Sequence, residues 1–397
     1  MTELSRTHRK AQAARAAQAV RDHYTGPASV PDLLARAQAA APDLPLSEGW
    51  LRAQLLRIDQ EQPALRVVSR TPEQWAALFP RYPIDSDGFA RPLPAHAPEA
   101  VRASLDTYGM AIVTVFSAAE CAASVTAMFE EINSLRPAGR PAIHPDRPET
   151  WHARNWPSRS KFLLRRPALH PVAFANRTHP AIYELFSTLW GEERLAVTVD
   201  NWGIARGTRG MSFPQDDGTV SIEDRPRWHQ EIKPHWDYNP WLFVDEVTGG
   251  REPGWQGLIA LVDQTIEGGC HRTLPGGAPF LARWCAERVC PDSLGRKRAS
   301  HRPAADDPIR DWMQDIPLRA GTMVLWSWGQ LHASVPSRGP GLRLHQYVRM
   351  FPAESVDPFY THHDRYAASR ILPEHPGALR GLSLTSTAKR LLGVSGW

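Results

Sequence analysis

Gly321-Thr-Met-Val-Leu-Trp-Ser-Trp-Gly-Gln-Leu-His332-Ala-Ser334 is the stretch on which the reading of the fold turns. Its first half is short, aliphatic and aromatic, and opened by a glycine, the composition of a buried strand. Eleven positions after His332 comes Arg343, at the head of a second such run, Leu342-Arg-Leu-His-Gln-Tyr-Val-Arg-Met350. Side chains alternate along a strand, so Arg343, His345, Tyr347 and Arg349 share one face. A polar face turned into a barrel is costly unless it lines a site, because buried polar groups need partners.

Outward from these runs lie others of the same kind: residues 257–262, 196–204 and 108–116. Several short strands without alternating helices point to a barrel or sandwich and away from a parallel α/β sheet. After the 108–116 run, Ser117-Ala-Ala-Glu120 has the spacing of a capping box, predicting a helix to about Asn133. That strand-to-helix entry marks the start of a second domain. Upstream, residues 1–95 read as a helical extension, with helices over 3–24, 31–41 and 47–59. Residues 80–98 carry five prolines and read as a linker.

Bulk properties exclude several classes. The 397 residues carry 46 basic and 42 acidic side chains, a net +4 without blocks of like charge, which is no nucleic-acid signature. No apolar run is long enough to span a bilayer, and the N-terminus lacks the apolar core of a secretory signal. Cys121, Cys270, Cys285 and Cys290 form neither a disulfide framework nor a CxxC pair, so a reduced, cytoplasmic protein is expected. With 36 prolines, long irregular loops should connect the elements, among them 136–160, 207–234 and 239–256.

The chemistry begins at Lys233-Pro-His235-Trp-Asp237. On a strand, residues i and i+2 point the same way, so His235 and Asp237 could present an imidazole and a carboxylate to one ion. Alone this tripeptide is uninformative, since chance supplies about one such match in a chain of this composition. His332 gives it weight. Two histidines and one carboxylate on one face of an octahedron leave three adjacent positions open, the arrangement of Fe(II) oxygenases. Two of these can chelate a 2-oxo acid and the third can admit O₂. Arg343 could then grip a far carboxylate in a bidentate fork, with the Ser334 hydroxyl adding a donor. His362-His-Asp364 and His144-Pro-Asp146 have no such strand context and read as surface turns. His229 reads as a loop residue, and Lys161 with Arg165-Arg166 as a solvated basic face.

From about Ala100 onward the chain resembles the phytanoyl-CoA dioxygenase family. Four features match in order: the strand at Tyr108-Gly109 through Phe116 with its helix; His235-x-Asp237; Ala260-Leu-Val-Asp263 with Glu267-Gly-Gly269 and Leu274-Pro-Gly276; and His332-x-Ser334 with Arg343. The resemblance implies a mainly β fold with flanking helices, a double-stranded β-helix (jelly roll, cupin-like) core, over residues 100–397. It implies that His235, Asp237 and His332 bind Fe(II), and that Ser334 and Arg343 bind the distal carboxylate of 2-oxoglutarate. Trp255 and Gln256 become candidates for the cosubstrate pocket, because Leu258 stands where the family often has tryptophan. The usual Pro-Gly-Ser-His ending is here Pro275-Gly-Gly-Ala278.

The implied function is O₂-dependent hydroxylation of a small-molecule substrate at an unactivated C–H, with release of succinate and CO₂. Asp237 argues against halogenation, since related halogenases have a small residue there. Desaturation, epoxidation and ring formation stay open. So do a 2-oxoglutarate-independent cupin-type metal enzyme, which would not need Arg343, and a non-catalytic jelly-roll binding module. No nucleic-acid or membrane partner is expected, and the N-terminal helices could pack across a homodimer.

Overall fold

The computed structural model describes residues 6–23, 30–47, 50–51, 54, 70–157, 159–160, 163–215, 217–250, 254–291, 294–295, 297, 299–354 and 366–397. Eight strands frame the site: β1 (Asn201–Ala205), β2 (Ile232–His235), β3 (Trp255–Ala260), β4 (His271–Thr273), β5 (Gln314–Ile316), β6 (Thr322–Ser327), β7 (His332–Ser334) and β8 (Arg343–Val348). β6, β3, β8 and β1 lie side by side in that order within an eight-stranded sheet. Its further strands are Leu93–Pro94, Met110–Thr114, Arg159–Ser160 and Leu163–Pro167. β5, β4, β7 and β2 form a second sheet of four. All neighbours among the eight are antiparallel. The chain thus passes repeatedly between the sheets, with only β4 and β5 consecutive within one.

The large sheet is covered on both faces, which explains why β3 and β6 are mostly continuous apolar runs and not alternating ones. On one face Met323 and Leu325 join Ile259, Val113 and Phe186; on the other, Val324 and Trp326 join Leu258 and Ile112. Burying each such side chain contributes about 1.5–3 kcal/mol. Gly321 has φ +83°, and a Cβ there would lie 2.3 Å from the Phe116 carbonyl oxygen, so the turn into β6 requires glycine.

The expected capping box is present: Ser117 accepts from the Glu120 amide and the Glu120 carboxylate accepts from the Ser117 amide, opening a helix over Ala118–Ser134. The strand before it is shorter than expected. Pro98–Tyr108 is helical, Gly109 caps it at φ 71°, and the strand begins only at Met110. The 196–204 run is divided into Leu195–Val197 and Asn201–Ala205, in different sheets.

Helices also occupy segments read as loop or strand-rich: Pro171–Arg177, Pro180–Trp190, Pro240–Thr248 and Gly277–Ala286. Within the 239–256 segment, Asn239 accepts from the amides of Trp241 and Leu242 and Pro240 takes the first helical position. The 207–234 segment holds a hairpin of Met211–Pro214 with Val220–Glu223.

The proline-rich stretch 80–98 lies along the body. The Tyr82 amide donates to Gln314 (2.8 Å), and Leu93–Pro94 pairs in parallel with Val113–Thr114. Just before it, Trp75 and Phe79 pack on Phe280. The helices Arg6–His23 and Val30–Ala40 bury a small cluster of their own, with Val20, Leu33 and Ala37 fully enclosed. The proposed helix over 47–59 falls largely outside the described residues. So do Lys161, the side chains of Arg165 and Arg166, and His362 to Asp364. No described helix is long and apolar enough to cross a membrane.

Candidate metal centre

β2, β7 and β4 are adjacent in the small sheet, and their register brings the polar residues together. His332 pairs directly with His235, Thr273 with His332, and His271 with Ser334. β2 ends at His235, but Trp236 continues extended by bridging His301, so Asp237 returns to the face of His235. One donor atom each from His235, Asp237 and His332 lies within 4.8 Å of the others.

The donor set fits a metal ion. His235 Nδ1 lies 2.9 Å from the Lys233 carbonyl oxygen and His332 Nδ1 lies 3.1 Å from that of Gln330. Each contact places the proton on Nδ1 and leaves the Nε2 lone pair toward the centre. His235 Nε2 lies 3.2 Å from Asp237 Oδ1, and His332 Nε2 lies 3.4 Å from Asp237 Oδ2. Gln256 Nε2 donates to Asp237 Oδ2 at 3.0 Å, fixing the carboxylate from the opposite sheet. Burial works against the Asp237 carboxylate, but the facing His332 and His235 outweigh it and hold its pKa well below the usual range. Burial likewise opposes charge on His332, and Asp237 overcomes it, raising the pKa.

A cavity of about 200 Å³ opens from this centre between the two sheets. The inward face of β8 and the residue that follows it form its far wall, with Arg343, Tyr347 and Arg349 all lining it. Arg343 is almost fully enclosed, and burial lowers its pKa. Its Nε donates to Gln264 Oε1 at 2.9 Å and its Nη1 donates to the Ser334 hydroxyl. Arg349 instead pairs with Asp200 at 3.0 Å, under the rings of Trp328 and Tyr366.

The cavity therefore gathers His235, Asp237, His332, Ser334, Arg343 and Gln256. Trp255 is not among them. It points to the other face of the large sheet, 5.2 Å from Trp190, because alternation along β3 sends it away from Gln256. His229 lines a different cleft, with Glu231 and Arg338, outside this cavity. His144 lies in a loop and bonds locally, its carbonyl accepting from Trp151.

Several residues in and around the site escaped the sequence reading. Gln264 directly follows the Ala260–Asp263 motif, and adjacency was its signal. His271 and Thr273 stand at alternate positions between Gly269 and Leu274, a polar pair on one face of a short strand. The Asp200–Arg349 ion pair joins residues 149 apart, which no local pattern reveals.

Among known proteins, the chain is similar over 250 residues to a Dictyostelium discoideum protein named "Putative phytanoyl-CoA dioxygenase", at 21% identity. The match takes in 55% of this chain and 65% of that protein, so the chain spans less than two thirds of the relative's length. It agrees with the resemblance drawn from the motifs. No protein-family profile matches the chain. Among solved structures, similarity extends to the epimerase SnoN in complex with Fe3+, alpha ketoglutarate and nogalamycin RO (16% identity, 66% of this chain and 93% of that one, TM-score 0.41). It extends also to the carbocyclase SnoK of nogalamycin biosynthesis (17%, 70% and 94%, TM-score 0.40). A third is EctD from S. alaskensis in its apoform (15%, 68% and 82%, TM-score 0.41).

Proposed function

We propose that the chain is an Fe(II)- and 2-oxoglutarate-dependent dioxygenase with a double-stranded β-helix core, hydroxylating an unactivated C–H of a small metabolite. One observation carries this reading: the His235–Asp237–His332 set and the Arg343–Ser334 pair face the same cavity, with Arg343 reaching across from the large sheet to Ser334 on the small one. A metal triad alone would serve many enzymes. A buried guanidinium across from it matches a metal-chelated dicarboxylate.

His235, Asp237 and His332 would hold the iron, and Arg343 with Ser334 would bind the far carboxylate of the cosubstrate. With O₂, that cofactor pair supplies an oxidant able to take hydrogen from an unactivated carbon, yielding succinate and CO₂. The chain's own residues orient and shield. Gln256 keeps Asp237 in place, and Leu258, Trp326 and Tyr347 wall the cavity against water. The presence of Asp237 as a third protein ligand favours hydroxylation over halogenation. A cytoplasmic setting belongs to the same proposal, with the four cysteines as free thiols.

The test is succinate release from 2-oxoglutarate by the Fe(II)-loaded protein across a panel of small molecules. Asp237→Ala should abolish both that release and tight metal binding. Turnover undiminished in this variant would sink the ligand assignment.

A further inference from the structure

His271 occupies the inward face of β4 and lines the same cavity at 2% exposure. Its ring lies 5.1 Å from that of Trp326 and 6.0 Å, nearly parallel, from that of His332. Its buried Nε2 has no hydrogen-bond partner among the described residues. A sealed, unsatisfied nitrogen is a standing cost, and a fold that keeps one beside a cavity gains if a ligand satisfies it. Register says which part of a ligand is near. His271 is the direct cross-strand partner of Ser334, whose hydroxyl accepts from Arg343. Directly opposed residues carry their side chains about 5 Å apart on one face. On its other side His271 faces His332. Its ring therefore stands between the metal end and the guanidinium end of the cavity.

We propose that His271 is a third recognition group for the cosubstrate, donating a ring N–H to the distal carboxylate held by Arg343 and Ser334. This rests on the function proposed above and adds a positioning residue to it. The carboxylate then receives a guanidinium, a hydroxyl and an imidazole donor, and the orphaned nitrogen gains its partner. Trp326 and His332 both pack against the ring, so the donor is set before the ligand arrives.

The test compares two acids on metal-loaded, oxygen-free protein by calorimetry: 2-oxoglutarate, and 2-oxopentanoate, which keeps the chelating end but lacks the distal carboxylate. His271→Leu should weaken 2-oxoglutarate binding about tenfold or more, the scale of one hydrogen bond to a charged group. It should leave 2-oxopentanoate and metal affinity unchanged, and His271→Gln should recover part of the loss. Unaltered 2-oxoglutarate affinity, or equal loss for both acids, overturns the proposal. If the wild-type protein itself does not prefer 2-oxoglutarate, the cosubstrate reading fails first, and this proposal with it. A measurement without substitution guards against a variant that does not fold. In the zinc-loaded wild-type protein, the ¹⁵N resonances of the His271 ring should shift with 2-oxoglutarate and stay in place with 2-oxopentanoate. Resonances unmoved by 2-oxoglutarate overturn it.

Discussion

Arg343, which opens β8, and Arg349, the residue just after its end, line one cavity six residues apart, yet they end in different electrostatic settings. Arg349 meets a carboxylate: Asp200 Oδ1 takes its Nη2, while Asp200 Oδ2 accepts from Thr198 at 2.5 Å. Arg343 donates to two neutral groups, the Gln264 amide oxygen and the Ser334 hydroxyl. The first arrangement is electrically closed and ties the end of β8 to the segment before β1. The second solvates a cation with dipoles and suits a site that receives an anion. Identical side chains along one stretch of chain thus divide into a staple and a candidate receptor.

The largest effect should come from breaking the staple. Arg349→Gln leaves the Asp200 carboxylate buried beside a neutral group, and losing one member of such a pair costs about 3–5 kcal/mol. Chemical denaturation should show that loss, with most of it recovered in Asp200→Asn/Arg349→Gln. Affinity for 2-oxoglutarate should move by only a few-fold. An Arg349 variant of normal stability would erase the distinction.

Breaking the receptor should do the reverse. Arg343→Gln should weaken 2-oxoglutarate binding about 100-fold, as expected for loss of a bidentate, charge-assisted contact. Stability should change less than in the Arg349 variant, because Gln264 and Ser334, to which Arg343 donates, carry no charge. Calorimetry and thermal melting on the same variant measure the two quantities together.

This division was only half legible in the sequence. Alternation along the 342–350 run put both arginines on one face, and the remote histidine marked the cavity they line. What each guanidinium would meet was not legible, because Asp200 and Gln264 come from strands or turns far along the chain. The fold shows the same limit. Apolar runs announced β3, β6 and β8, whose burial on two faces leaves a strong signal. The small sheet has strands of three or four residues, too short for periodicity, and it carries most of the candidate metal ligands. Helices such as Pro240–Thr248 were hidden by tryptophan and β-branched content, with a proline at the first position that reads equally as a loop.

The two ends of the cavity should also differ in their response to pH. A guanidinium stays charged throughout the working range, so the Arg343 contact is nearly pH-independent. His332 has its pKa raised by Asp237, and a metal ion must displace that proton. Protonation of the metal-free site therefore grows as pH falls through the raised value, and metal affinity falls with it. The slope should approach tenfold per pH unit below that value and flatten above it. Metal titrations between pH 5.5 and 8 would show this. A flat profile would mean that His332 does not bind the ion.

The smallest effect concerns the bridge between the sheets. Gln256 stands on the large sheet with the two arginines but reaches across the cavity to Asp237 Oδ2. It orients a ligand and neutralises no charge, so Gln256→Leu should weaken metal binding by about tenfold, the lower end for groups that orient metal ligands. The affinity for 2-oxoglutarate, measured at saturating metal, should stay within a few-fold of wild type. That pattern would place Gln256 with the metal end despite its position on the arginine wall. A larger loss for 2-oxoglutarate than for metal would instead make it part of the receptor. The boundary between the two ends would then run through the large sheet and not between the sheets.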